Sequence, residues 1–549
     1  MDLLLDIFGF ASVLLSGVVR TAQCLTLGGV AFLALIALPL SDGGHDAAAV
    51  AARARLWTRR FAWALLITVA VLLAMHVTIL AGTAGIPLAT AFGGDFATAQ
   101  LVRLGAVALL LVLLYRSQLS APLLVALGLV ELAAGVAISH AMARVDDRAL
   151  LIGITALHHL GAAVWIGGLP SFLAAMRLLP GGELRRAVGA RYSLMSMLSV
   201  AAITFSGIGM LVHYVGSTEA MYGTAYGMML GTKITLFLGL LFLGLCNFLV
   251  VRSLAGHPHG SVLRLRRFAE VELGVGITIF FVAASMTSLP PAIDLTEDRA
   301  SLTEILERLA PEWPSLTSPD RASLAFYQEQ KELTEGAVQD KPASLQAYVP
   351  GSGTPLPRNA EDIAWSEYNH HVSGAIVLLM SILVLLEKTG RAPWARHWPL
   401  LLIVLAGVLF LRSEAESWPT GSLTLAESLR DPEFIQHKAF MVLMTAFAGF
   451  EWSVRNKVLR NDRAKYVFPL LCALGGMMLL THSHSIANVK ELLLLEMTHM
   501  PLAVFAIWSG WTRWLELRLE DGPGRVIAGW LWPVFFSLTA LTLLLYREI

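Results

Sequence analysis

The stretch THSHSIANVKELLLLEMTHM, residues 481–500, sets His482, His484 and His499 beside Met497 and Met500 in a short polar break between long apolar runs. Imidazole with thioether is a ligand set that favours copper, and the thioether selects Cu(I). Glu496, His499 and Met500 are spaced i, i+3, i+4, which places them on one helical face. A carboxylate beside a ligating histidine commonly fixes its tautomer. His482 and His484, two residues apart, share a side only where the helix has unwound. The cluster reads as a metal site rather than a polar loop.

Other histidines repeat the theme. His76, His140, His158, His159 and His213 lie in the first half of the chain, and His370, His371 and His437 in the second. An ionisable residue inside an apolar run is a functional candidate by default. His76 and the His158–His159 pair lie about two turns inside their runs, where an imidazole needs a hydrogen bond, a shared metal or a haem iron. Neighbouring helical residues point about 100° apart, so His158 and His159 need not serve one site. His140 and His213 lie near Met142 and Met210. A b-type haem is the alternative, held by His76 with His158 or His159, and by His371 or His437 with His499; axial ligands and burial would set its potential. Glu367-x-x-His370 and Glu496-x-x-His499 also match the Glu-x-x-His element of di-iron bundles. Glu433 could add a carboxylate, although it precedes its helix and no clear further one follows.

The elements that must position these groups are membrane helices. Of 549 residues 56% are hydrophobic and only 15% charged, against about a quarter in a soluble domain. The mean hydropathy is +0.66. A formal net charge of zero gives no basis for nucleic-acid binding. No nucleophile triad, phosphate loop or nucleotide motif is present. The three cysteines, Cys24, Cys246 and Cys472, lie far apart inside apolar runs and read as packing thiols.

A span needs about 20 apolar residues, and on that criterion about fourteen runs are expected. Eight fall near 14–40, 58–83, 98–115, 119–140, 149–176, 192–215, 227–251 and 268–289, and six near 367–387, 398–412, 436–454, 464–483, 489–512 and 527–546. The fold class is therefore an all-α polytopic membrane protein in two bundles. Residues 292–366 between them read as an extramembrane linker, partly ordered by Trp313 and Tyr327. The first run reads as a retained helix, since Asp2 and Asp6 replace a basic leader. Arg and Lys collect in every second connection, as at Arg53–Arg60, Arg185–Arg191, Arg264–Arg267 and Arg455–Lys465. The positive-inside rule makes that face cytoplasmic and both termini periplasmic. Only His45, His257, His259 and His397 then fall on the cytoplasmic side, while the other eleven lie in the outer half.

Residues 158–172, HHLGAAVWIGGLPSF, carry a resemblance. With ARYSLMSMLSVAAITFSGIG (190–209), AYGMMLGTKITLFLGLLFLGLCNF (225–248) and LRRFAEVELGVGITIFFVAASMTSLPP (265–291), the region 1–291 resembles the copper resistance protein D (CopD) family of bacterial inner membranes. The resemblance implies an eight-helix domain that handles copper, taken from a periplasmic carrier of the CopC type. It also marks Trp165, Gly167, Gly168, Lys233 and Glu272 as family positions. Paired glycines allow close helix approach, and the Lys233 ammonium needs a carboxylate, a carbonyl, water or an anionic group such as a haem propionate. The six-helix block 367–549 is not part of the family pattern. A separate partner is expected to deliver the copper.

Overall fold

The computed structural model describes residues 2–41, 44–297, 299–334, 359–481 and 489–548. All regular elements among the described residues are helical, and ten helical segments are long and apolar enough to cross a membrane. The chain divides into two compact units.

The first unit comprises residues 12–217 and 233–294. It is built from α1 (Asp2–Phe32, its first residues outside the unit), α2 (His45–Ala84), α3 (Asp95–Tyr115), α4 (Ala121–Val136), α5 (Arg148–Ala162), α6 (Leu169–Leu178), α7 (Glu183–Tyr214), most of α8 (Ala225–Ser253) and α9 (Leu263–Met286). At 16 residues, α4 spans about 24 Å, which is short for a hydrocarbon core of about 30 Å. Two π-helical turns interrupt the regular winding. Leu33–Ala37 extends α1, and Ala163–Gly167 joins α5 to α6. Such turns insert one residue and redirect the side chains around them.

The glycine reading of the sequence is visible at this joint. A Cβ on Gly167 would lie 1.8 Å from the Cys24 carbonyl oxygen, and one on Gly28 would lie 2.1 Å from the Gly167 carbonyl carbon. Two backbones therefore cross in direct contact, and only hydrogen fits between them. Deeper in the unit, Arg103 and Glu131 form an ion pair at 2.9 Å with both residues 2% exposed. Gln23 donates to the second carboxylate oxygen at 3.1 Å. The pair ties α1, α3 and α4 together through apolar surroundings.

The second unit contains residues 1–11, 218–232 and 295–549. Its helices are α10 (Ala360–Lys388), α11 (Leu401–Arg412), α12 (Pro432–Arg455), α13 (Val467–Leu479), α14 (Val489–Arg518) and α15 (Pro523–Leu544). Trp398, Trp532, Phe447 and Phe468 interlock with Met380, Val384 and Cys472 to form its core. At one end of the bundle, charges close a ring across α10, α12 and α14. Arg455 binds both Glu387 and Glu451, Arg513 reaches Glu451 and Glu516, and Lys388 meets Glu516 at 2.6 Å. The ring compensates three cations with three carboxylates.

The segment expected to lie outside the membrane is partly helical. Leu302–Arg308 carries a Ser301 capping box. Trp313 does not order this segment, because it stands 97% exposed. Tyr327 does: its hydroxyl donates to the Ala415 carbonyl at 2.8 Å, and its ring packs with Leu324 and Trp365.

Candidate metal centre

In the second unit α10 presents two adjacent histidines to different surroundings, as the 100° step between them requires. The His371 side chain is 5% exposed, and both of its nitrogens are engaged by main chain. Nδ1 accepts the Ser315 N–H at 3.0 Å and Nε2 donates to the Tyr546 carbonyl at 2.8 Å. His371 thus locks a connecting segment and the chain end onto α10.

His370 faces the other way. Its Nδ1 lies 2.9 Å from the Ser366 carbonyl, which can only accept, so the proton sits on Nδ1 and the lone pair on Nε2. Its ring stands 5.8 Å from the His499 ring, at 90°. Tyr546 completes a triangle, stacked on His370 at 3.7 Å and edge-on to His499 at 5.6 Å. The Tyr546 hydroxyl donates to Glu548 at 2.5 Å. The Glu548 N–H donates to Glu367 at 3.0 Å, so the carboxylate of the Glu367-x-x-His370 motif holds the chain end.

His437 on α12 is bound through Nδ1 to Glu414, whose second oxygen takes Lys438 at 3.2 Å. Glu414 is 9% exposed. Burial pushes its carboxyl up, but the charge and hydrogen bond of His437 outweigh that and hold it below the usual range. Met500 follows His499 on α14 and is buried, and Glu496 lies half-buried one turn earlier. His482 and His484 lie outside the described residues.

The first unit holds the remaining candidates. His158 Nδ1 lies 3.1 Å from the Ser206 hydroxyl, which itself donates to the Ala202 carbonyl at 2.6 Å. With its one proton committed, Ser206 accepts from His158, and the histidine again presents Nε2. His76 Nδ1 lies 3.0 Å from the Leu72 carbonyl and His213 Nδ1 2.9 Å from that of Gly209, while His213 Nε2 lies 3.5 Å from the Asp147 carboxylate. His76 also stacks on Phe96 at 4.8 Å. Burial together with the Arg20 and Arg144 charges keeps His140 below the ordinary imidazole range, favouring its neutral, ligating form. The His158 and His159 rings are 6.5 Å apart. His159 lies within the electrostatic reach of Arg20, Lys233 and Arg103. Trp165 donates to Glu272 at 3.2 Å, and Asn247 grips the other oxygen at 2.5 Å.

Among the described residues no group of three or more His, Cys, Asp or Glu side chains is arranged to hold a metal ion. Among the described histidine ring pairs, His370 and His499 stand nearest. Two nitrogens about 2 Å from one ion put imidazole centres about 6 Å apart, and the observed separation is 5.8 Å. A haem does not fit between these two rings, because Tyr546 occupies the space against His370 that the macrocycle would need.

Residues 186–286, from Arg186 in α7 to the end of α9, match the family model described as Copper resistance protein D. The likeness to the CopD family lies in this segment. Ser206, His213, Lys233, Asn247 and Glu272 fall inside the CopD segment. His158, His159 and the triangle of the second unit lie outside it. The copper transport protein CutJ of Bacillus subtilis (strain 168) is 32% identical over 153 residues, which is 27% of this chain and 26% of that protein. The match thus spans about a quarter of the curated relative. No solved structure matches the chain.

Sequence reasoning passed over Ser206, Tyr546, Glu548 and the Arg103–Glu131 pair. For the last a signal existed: LVRLGAV and LVELAAG each put one charge in an apolar run.

Proposed function

We propose that the protein handles copper at a bacterial inner membrane, accepting the ion at the periplasmic face through histidines and passing it inward or to a partner. The observation that carries this reading is the His370–His499 pair, with Nε2 of His370 presented by its Nδ1 bond and the ring separation suited to one two-coordinate ion. The ion is cargo here, and two imidazoles with the buried Met500 nearby suit Cu(I). The CopD segment and the likeness to a copper transport protein support the same class of cargo.

In this reading fourteen helices span the bilayer, eight in a CopD-like domain (1–291) and six in a second domain (367–549), joined by a periplasmic linker (292–366). Both termini lie on the periplasmic side. A CopC-type carrier delivers copper to that face. Haem on His371 is disfavoured because both its nitrogens are committed to main chain, and haem on His437 with His499, or on His76 with His158 or His159, is the alternative that an optical spectrum tests.

The test is metal analysis and an optical spectrum on one detergent-purified sample, reduced and loaded with Cu(I). Wild type should retain copper without a Soret band, and His370→Ala with His499→Ala should lose at least one copper per chain. A strong Soret band with reducible b-type peaks would replace copper handling by redox chemistry. Unchanged copper in the double variant would remove this pair from the pathway.

A further inference from the structure

The second unit holds a cavity of about 270 Å³ at the end of the bundle where α10 stops and α15 starts. Lys388, Glu516, Asp521 and Arg525 line it with charge, and Val526 and Trp530 form an apolar wall. Its depth follows from α15. That helix has 22 residues and spans about 33 Å, close to the hydrocarbon thickness of about 30 Å, so its first turn lies at a membrane surface. Lys388 is the last residue of α10, a second candidate span, and marks the same level.

The cavity continues into a lipid-facing stripe. Val526, Trp530 and Val534 are spaced i, i+4, i+8 on one face of α15, and all three are exposed. The first two line the cavity, and the third lies one turn further into the span. Gly529 gives the Lys388–Glu516 pair its place against α15: a Cβ there would lie 2.9 Å from Glu516 Oε1 and 3.3 Å from Lys388 Nζ.

Two cations and two carboxylates make the lining formally neutral. They are not equally available. Glu516 is used at both oxygens, by Lys388 at 2.6 Å and by Arg513 at 2.5 Å. Arg525 and Asp521 keep capacity: among the described residues they share one hydrogen bond, from Nη1 to Oδ1, and the Asp521 side chain is 94% exposed. The other guanidinium donors and the second Asp521 oxygen are open to an outside partner, as are two of the three Lys388 donors. A partner that satisfies this lining carries an anion and a cation close together on an apolar chain. The planar fork of arginine suits phosphate oxygens, and a primary ammonium brings three N–H donors to a carboxylate. A headgroup with phosphate alone would set Asp521 against a like charge, and a trimethylammonium would bring no donor.

We propose that this cavity seats the headgroup of phosphatidylethanolamine. The phosphate lies on Arg525 and Lys388, the ammonium on Asp521, and an acyl chain along Val526, Trp530 and Val534. Trp530 then stands at the headgroup level, where the amphipathic indole is favoured.

Native mass spectrometry of the full-length protein, offered equal amounts of phosphatidylethanolamine, phosphatidylcholine and phosphatidylglycerol in detergent, reads the selectivity. Wild type should retain phosphatidylethanolamine over each of the others by about tenfold, the difference made by one charge-assisted hydrogen bond. Arg525→Gln should lose most of that retention, and Asp521→Asn should lose the preference over phosphatidylcholine. Glu183→Gln, at an exposed ion pair of the first unit, should match wild type. Equal retention of phosphatidylethanolamine and phosphatidylcholine by wild type overturns the proposal, since the ammonium is then not read. Preference for phosphatidylglycerol overturns it in favour of an anionic lipid. A wild-type preference that survives unchanged in both Arg525→Gln and Asp521→Asn puts the lipid elsewhere and overturns it too.

Discussion

Replacing Gly167 by alanine should break the crossing that positions the first-unit histidines, while the same change at Gly153 should not. The two glycines lie 14 positions apart on one continuous helical run. A Cβ at Gly167 meets the Cys24 carbonyl oxygen at 1.8 Å and its carbon at 2.5 Å. A comfortable carbon–oxygen contact is about 3.3 Å, so the α1 backbone would have to retreat by about 1.5 Å. No side chain can rotate to absorb this, because both obstacles are main chain. From the other side, Gly28 is closed in by the Gly167 carbonyl carbon and the Ala163 oxygen at 2.2 Å. Overpacking of this kind costs about 1–3 kcal/mol and sometimes more. With main chain as the obstacle we expect the upper end, about 3 kcal/mol. At Gly153 nothing lies within 4 Å of an added Cβ, and alanine gains about 0.8–1 kcal/mol of helix propensity. Tryptophan-fluorescence melts of the full-length protein in detergent read both effects. Gly167→Ala should melt clearly below wild type, and Gly153→Ala at or slightly above it. A Gly167→Ala melt that overlays wild type would show that α1 does not cross the π-helical joint in contact.

Glu131→Gln should lower stability by about 3–5 kcal/mol by leaving Arg103 buried without its anion. The double variant Arg103→Met with Glu131→Leu should recover most of the melting midpoint, and failure to recover would mean that the pair does more than compensate itself. Ser206→Ala removes the acceptor that fixes the His158 tautomer. If His158 is a ligand, first-unit copper affinity should fall 10–100-fold with little change in melting; unchanged affinity would make the histidine structural. A pH dependence should be visible at Glu416, in the connection between α11 and α12. Burial raises its carboxyl from 4.5 to about 7, with the Glu414, Glu433 and Asp362 charges adding to the rise. Because the folded state favours the protonated acid, this stabilisation is complete below pH about 4.5 and is lost as pH rises through about 7, at most about 3 kcal/mol. Glu416→Gln, uncharged throughout, should therefore melt above wild type at pH 8 and near it at pH 5. Parallel pH profiles for the two would sink that assignment.

What the sequence reveals here follows from the range of each interaction. Long apolar runs are local, and all ten long apolar helices lie on expected runs. The contact role of the paired glycines was also legible, since residue size alone carries it. The distinction between His370 and His371 was not. They are neighbours, yet one faces His499 and Tyr546 while the other binds main chain 56 and 175 positions away. No spacing rule reaches that far. The carboxylate of Glu367 looked like a di-iron ligand for the same reason, because its partner is the N–H of Glu548, at the far end of the chain. Charge could have taken the reading further than it did. Counting histidines selects sites for cations, but counting arginines and carboxylates in the same runs would have pointed to the buried Arg103–Glu131 pair. A ligand residue takes its meaning from the sign of the field around it. By that criterion His370 is a candidate with carboxylates close by, Glu548 and Glu367 lying within its hydrogen-bonded surroundings.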